Sequence, residues 1–234
     1  MTFLHEPSFT SFFPFSPSLL SLPPLPTIPL LVLPPSPQAI DQALNILSSG
    51  GIVAHATETC YGFACDLTNP AAVEKLFAIK NRPADQPVSA LFPSIKEAKK
   101  YVSWNDRAEG LAQSHLPGPL TLILPIKKTA REKLFVVPIT HPQSLIPTIA
   151  IRISSHPLAM ELATRFSRPL STTSANVHGE PNPYSAQEVE RQFAAMAFQP
   201  DLIIDSGILP PTPPSTVIDL SSGEKRTLRQ GGIL

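Results

Sequence analysis

Whatever chemistry this chain performs rests on a few cations and hydroxyls. Lys80-Asn81-Arg82-Pro83 places two cations one residue apart, after an apolar helical pattern and before a proline. Such a pair either caps the negative end of a helix dipole or faces an anion, and capping is the commoner role. Arg152 lies inside an otherwise apolar run, Ile149 to Ile153. A guanidinium buried in a strand without a partner is costly, so it needs a fixed carboxylate or a bound anion. Thr148, Ala150 and Arg152 share one face of that strand at period two. A hydroxyl and a fork of donors then point the same way, which suits an anionic ligand. Ser171-Thr172-Thr173-Ser174-Ala175-Asn176 is a row of hydroxyls ending in an amide. Backbone N–H groups in such a loop can hold phosphate oxygens; the alternative is an ordinary polar turn. Ser215-Thr216-Val217 and Arg229 repeat the pairing of hydroxyl and cation.

Standard catalytic sets are missing from the sequence. His55, His115, His141, His156 and His178 fall in no H-E-x-x-H or similar spacing, and there is neither a Walker loop nor G-x-G-x-x-G. No nucleophile stands beside an evident base. Many small anion-binding elements without such a set suit a reaction whose chemistry lies in its substrates. Positioning and charge stabilisation would then be the protein's contribution.

The elements that must position these groups are organised around Gly50 to Asp66. Ile52-Val53-Ala54 reads as a buried strand, followed by Thr57, Glu58 and Thr59 and then by a turn at Tyr61-Gly62. Polar side chains at the end of a buried strand suit the mouth of a cleft in an α/β sheet, or simply the cap of the next element. Ala39 to Leu47 has helical periodicity and ends at Gly50-Gly51. Asn69-Pro70 opens a helix that Pro83 stops. Val88 to Phe92 is a strand, and Ser94-x-x-Glu97 is a capping box for a helix through Val102. Asp106 to His115 reads as a helix, Leu120 to Leu124 as a strand with Thr121 its early polar member, and 126 to 147 as a loop or lid. The cations of that loop, Lys127, Lys128, Arg131 and Lys133, read as solvated surface. Beyond the Arg152 strand come a helix from His156-Pro157 through Phe166 and a strand and loop over Pro169 to Asn176. Ser185-x-x-Glu188 opens a helix to about Ala197. Strands at Asp201 to Ser206 and Thr216 to Leu220 follow, then an edge strand in Arg226 to Ile233. Strands alternating with helices predict an α/β sheet, parallel in part.

Composition bounds the function classes. The chain has 234 residues, with 18 Lys and Arg against 18 Asp and Glu. No global field draws it to nucleic acid or membrane, so anion binding must come from a few placed cations. Cys60 and Cys65 are a weak zinc signal without a second pair, and their spacing allows a disulfide. Two buried thiols in a reducing cytosol is the preferred reading, with a cytoplasmic location. Residues 1 to 37 stand apart: they are rich in Ser, Pro, Leu and Phe, and Glu6 is their one charge. Recurrent proline forbids a membrane helix and a central strand there, and the basic residues of common leaders are absent. We expect a disordered tail over 1–37 and a catalytic domain over 38–234, with a plastid-type leader as the remote alternative.

Taken in order, the motifs resemble the YrdC-like threonylcarbamoyl-adenylate synthases. They are Thr57-Glu58-Thr59-Cys60-Tyr61-Gly62, Lys80-Asn81-Arg82-Pro83, Pro117-Gly118-Pro119-Leu120-Thr121 and Ala150-Ile151-Arg152-Ile153. Then follow Ser171 to Asn176, Asp201 to Gly207, Ser215 to Asp219, and Leu228-Arg229-Gln230-Gly231. Each is weak alone; their order is specific. The resemblance covers residues 38 to 233 and is to the short, single-domain form. It implies a twisted mixed parallel and antiparallel sheet flanked by helices, with a large concave ligand cavity. It implies synthesis of L-threonylcarbamoyladenylate from L-threonine, bicarbonate or CO2, and ATP, with release of pyrophosphate. A downstream threonylcarbamoyl transferase complex would carry the group to adenosine 37 of tRNA. Weak tRNA binding is also implied, and no membrane is expected.

By the same resemblance, Thr59, Arg152, Thr172 and Ser215 would line a threonine pocket, with Arg152 on the substrate carboxylate. Lys80, Arg82, Gln86, Thr148, Ser174, Asn182 and Arg229 would contact ATP, with Lys80 and Arg82 as the catalytic pair. Mg²⁺ would ride on the phosphates, with no metal held by protein ligands. Ala56 stands where the family usually has proline, Leu116 where tryptophan is common, and Leu91 where some members carry a threonine-contacting histidine. Competing readings are a carbamoyl-adenylate former using carbamoyl phosphate and a non-catalytic RNA-binding module.

Overall fold

A computed structural model of the chain describes residues 30–82, 88–134 and 147–233. Its strands are β1 (Val32–Leu33), β2 (Val53–Ala56), β3 (Tyr61–Ala64), β4 (Ser89–Leu91) and β5 (Leu120–Pro125). They continue as β6 (Thr148–Arg152), β7 (Leu170–Ser174), β8 (Leu202–Ile204), β9 (Thr216–Asp219) and β10 (Arg226–Arg229). The helices are α1 (Pro37–Ser48), α2 (Pro70–Lys80), α3 (Ile95–Ala98), α4 (Asp106–His115), α5 (Pro157–Phe166) and α6 (Ala186–Phe193). The strands form one open sheet in the order β1-β8-β2-β3-β7-β4-β6-β5-β9-β10. Pairs β1–β8, β2–β8, β4–β6 and β5–β9 are parallel and the remainder antiparallel. The mixed α/β architecture is therefore the one expected.

Local chemistry explains the helix starts. Ser36, Asn69, Ser94, Asn105 and Ser185 each accept a backbone N–H from the first turn that follows. At Ser185 the reciprocal half of the capping box is displaced. Glu188 Oε2 accepts from Tyr184 N at 2.6 Å, one residue earlier than the motif predicts. Asn81 ends α2 in the left-handed conformation, with φ of 48°.

Several expectations need correction. Tyr61-Gly62 is not a turn but the start of β3, which returns antiparallel on β2. The polar residues 57 to 60 make the turn themselves: Thr57 Oγ1 donates to the Cys60 carbonyl at 2.7 Å. Val32 and Leu33 pair with β8, so the sheet takes in residues before 38. Residues 1–29 lie outside those described. The helix from Ser94 stops at Ala98 rather than at Val102, and α6 stops at Phe193. In the expected loop at 126–147, Lys128–Lys133 form a 3₁₀ turn, and 135–146 lie outside the described residues. Cys60 and Cys65 are free buried thiols.

Strand alternation sorts the core into two faces. Ile52, Ala54, Phe63, Ala90, Phe92, Ile149, Ile151, Leu120, Leu122 and Ile218 pack with α2, α4 and α6 on one side. On the other, Val53, Ala64, Leu91, Leu170, Leu202 and Ile204 pack beneath α1 and α5. That second cluster stops at β7 and β4. The rest of the same face is where the candidate site lies.

Candidate functional site

Where α1 and α5 end, the inward residues change from large and apolar to small and polar. Gly62 lies opposite Ser174, and Thr172 opposite Ser89. Ser89 lies opposite Ala150, which lies opposite Ile123. Arg152 lies opposite Thr121, which lies opposite Val217. These residues form one continuous floor from β3 to β9. Their small side chains leave a concave cavity of about 410 Å³, within the range of small-molecule sites. Gly62 is needed for the close approach here: a Cβ would stand 3.1 Å from the Thr173 carbonyl oxygen.

Four cations line the cavity, namely Lys80, Arg82, Arg152 and Arg229, and no described lining residue is a carboxylate. Lys80 is 2% exposed although it closes the last turn of α2. Its Nζ donates to the carbonyls of Ser174 and Asn176, the latter at 2.8 Å, and to Asn176 Oδ1 at 3.1 Å. The lysine therefore reaches across to β7 instead of simply capping α2. Burial first, then the Arg82 charge, push its pKa down to about 7. The three oxygen acceptors oppose that shift by holding the protons in place. Arg82 Nη1 reaches Thr173 Oγ1 at 3.5 Å, and burial lowers its pKa. Ser174 Oγ donates to Asn176 Oδ1 at 2.6 Å, so hydroxyl, amide and ammonium form one cluster.

A second cluster surrounds Arg152. Its Nη2 donates to Glu58 Oε1 at 2.7 Å and to Thr59 Oγ1 at 3.2 Å. The fixed carboxylate that the sequence demanded is thus Glu58, on the β2–β3 turn. Arg152 Nε is buried without a described partner. Burial would raise the Glu58 pKa, but the Arg152 charge and the Ser154 hydroxyl outweigh it and hold the carboxyl low. Opposite Arg152, Thr121 Oγ1 lies 2.8 Å from Ser215 Oγ. Arg229 clasps Ser215 by two bonds, Nη2 to Oγ at 2.9 Å and Nε to the carbonyl at 3.0 Å. Burial, then the Arg152 charge, lower the Arg229 pKa.

The structure therefore brings Thr59, Arg152, Thr172, Ser215, Lys80, Arg82, Ser174, Asn182 and Arg229 to one cavity. Thr148 does not reach the lining: it sits fully buried at the start of β6, opposite Pro125. Gln86 lies outside the described residues. Thr121 and Asn176 belong to the site, although their roles could not be read from type alone. The signal was present in both cases, because each stands in a quoted motif at a strand end. Glu58 stands in a quoted motif too, but its partner Arg152, 94 residues away, could not be read from it.

A mixed sheet that carries cations and hydroxyls on the part of one face no described helix covers defines an α/β protein with a site chemically suited to an anionic ligand. Residues 45–231 match the Sua5/YciO/YrdC family model, described as telomere recombination. The chain belongs to this Sua5/YciO/YrdC family. It is 36% identical over 194 residues to the threonylcarbamoyl-AMP synthase of Pyrococcus abyssi, covering 82% of this chain and 53% of that protein. It is 33% identical over 157 residues to the threonylcarbamoyl-AMP synthase of Photobacterium profundum, covering 66% of this chain and 80% of that one. The crystal structure of P. abyssi Sua5 complexed with L-threonine superposes with a TM-score of 0.75 and 31% identity, covering 87% of this chain and 58% of that one. The chain thus spans little more than half the length of the P. abyssi relative.

Proposed function

We propose that this chain synthesises L-threonylcarbamoyladenylate from L-threonine, bicarbonate or CO2, and ATP, releasing pyrophosphate. The observation that carries the reading is the cavity itself. It has four cations, no described carboxylate in its lining, and hydroxyls gathered around Arg152. Its relatives carry the same activity in their names.

The division of labour follows from the two clusters. Arg152, with Thr59, Thr172 and Ser215, receives threonine by its carboxylate and hydroxyl. Lys80, Arg82, Ser174, Asn182 and Arg229 receive the nucleotide and its phosphates. Threonine's amine forms an N–C bond to the one-carbon unit and gives up a proton, leaving a carbamate; from bicarbonate, a water also departs. A carbamate oxygen then bonds to the α-phosphorus, and the bond to the β-phosphate oxygen breaks. Charge accumulates on phosphoryl oxygens in that step, where preorganised cations are most effective. Mg²⁺ enters as the ion carried by the ATP phosphates, neutralising part of their charge. Lys80 is held by three oxygen acceptors, so its contribution is a fixed charge rather than a mobile proton acceptor. The product passes to a separate transferase acting on tRNA.

The test is pyrophosphate release by the purified protein, with L-threonine and bicarbonate each added and omitted. Release that requires both is the expected result. Release that requires carbamoyl phosphate instead would move the protein to the carbamoyl-adenylate reading. No release, with salt-sensitive tRNA binding, would favour the RNA-binding one.

A further inference from the structure

Glu58 stands behind the cavity, not in its wall. The β2–β3 turn delivers it to Arg152, and one carboxylate oxygen takes Nη2 at 2.7 Å. The other oxygen accepts the Ser154 hydroxyl, just beyond the end of β6. Ser154 Oγ in turn accepts the His156 backbone N–H at 3.1 Å, which fixes its hydroxyl toward the carboxylate. The turn itself is tied down: Thr212 Oγ1 lies 3.2 Å from the Glu58 carbonyl and 3.0 Å from the Thr59 carbonyl. Glu58 is therefore anchored at its backbone and at both oxygens. Arg152, whose side chain is 9% exposed, is held by Nη2 among the described residues. Its Nε is buried in the same wall with no described protein partner. A guanidinium is planar, so fixing Nη2 also fixes the direction of the remaining N–H groups.

We propose that Glu58 is a positioning residue for substrate selection: it grips Arg152 by Nη2 and so aims the rest of the guanidinium fork at the carboxylate of the amino-acid substrate. The proposal rests on the reading of Arg152 as the carboxylate site. Glu58 also cancels one charge in a cavity of four cations. The amino acid then meets an arginine that is oriented and half neutralised. Glu58 should thus act on the amino-acid half of the site and leave the nucleotide half alone.

Steady-state kinetics of three variants, with thermal unfolding as the control for folding, decides it. Glu58→Ala removes both anchors and is expected to raise the threonine KM about tenfold or more, the loss expected for a charged hydrogen bond. Its ATP KM should stay within about twofold of wild type, because no charged contact to the phosphates is lost. Glu58→Gln keeps the shape, and its amide can still accept from Arg152 and donate to Ser154. It should therefore recover part of the threonine KM. Should the alanine variant fail to fold, the glutamine variant carries the test: a threonine KM above wild type with an unchanged ATP KM supports the proposal. An unchanged threonine KM, or equal rises in both constants, overturns it. Arg152→Ala separates the two levels. If that variant leaves the threonine KM unchanged, the carboxylate-site reading itself falls. If it raises the KM and the Glu58 variants do not, only the positioning role falls.

Discussion

Gly231 and Ser215 pass backbone against backbone. A Cβ on Gly231 would stand 2.5 Å from the Ser215 carbonyl carbon and 2.1 Å from the Pro214 oxygen. Its amide meanwhile donates to Thr216 Oγ1 at 3.0 Å. This contact closes the chain's last described segment over Ser215 and the start of β9, two residues after Arg229 enters the cavity. Because the opposing atoms are backbone, they cannot rotate away. Gly231→Ala should therefore push the segment outward and loosen the Arg229 clasp on Ser215. A destabilisation of about 1–3 kcal/mol is expected from the overpacking. The ATP KM should rise with it. Thermal unfolding and nucleotide titration check both, and an unchanged melting temperature would contradict the close approach.

Lys80 and Arg82 hold the phosphate side. Removing either should cost about 2–4 kcal/mol of transition-state stabilisation if it faces the charge that develops on the phosphoryl group. Lys80→Ala should also loosen the turn after β7, since Ser174 and Asn176 lose a shared donor. Single-turnover rates and thermal unfolding of the two variants separate these effects. Near-wild-type turnover in both would remove the pair from the site.

The sheet was largely legible in the sequence, and its exceptions have physical causes. Pattern and capping boxes placed β2, β4 to β10 and all six helices, most of them because each buries a periodic apolar set. β3 escaped because Tyr61-Gly62 has turn chemistry, whereas Gly62 serves the close approach of β3 to the Thr173 carbonyl. β1 escaped because it has two residues among prolines, at a sheet edge where proline is tolerated. Arg152 announced its own need for an anion, since a guanidinium in an apolar strand has few explanations. The identity of that anion, Glu58, depended on how the β2–β3 turn folds across to β6. No local pattern records a contact of that kind. Thr148 stands apart for another reason: period two put it on the right face, but the described lining on β6 runs from Ala150 to Arg152.

Selection of the amino acid should depend on the paired hydroxyls opposite Arg152. Thr121 Oγ1 and Ser215 Oγ are 2.8 Å apart, and Arg229 donates to the latter. If Ser215 bonds the substrate hydroxyl, valine leaves a buried polar group unpaired. A kcat/KM lower for valine by on the order of 10⁴ is then expected. Thr121→Val removes one of the partners that orient Ser215 and should narrow that ratio. Competition between the two amino acids in the pyrophosphate assay measures it. Equal use of valine by the wild type would refute a hydrogen-bonding pocket.

Acid should weaken the fold through His55. This side chain is fully buried on β2, its Nδ1–H donates to the Ala56 carbonyl at 3.0 Å, and Nε2 has no described partner. Burial pushes its pKa down from 6.5 to about 4, and the neighbouring His156 charge acts in the same direction. The folded chain therefore refuses a proton that the unfolded chain accepts between those values. The stabilisation is complete above pH 6.5, declines as the pH falls toward 4, and is lost below that. A shift of this size corresponds to about 3 kcal/mol. His55→Asn keeps a donor near the Ala56 carbonyl and removes the titrating ring. Its melting temperature should change less between pH 6.5 and pH 4 than that of the wild type. His156, also lowered by burial, accounts for part of the slope that remains. Parallel curves for the two proteins would show that the proton is taken up elsewhere.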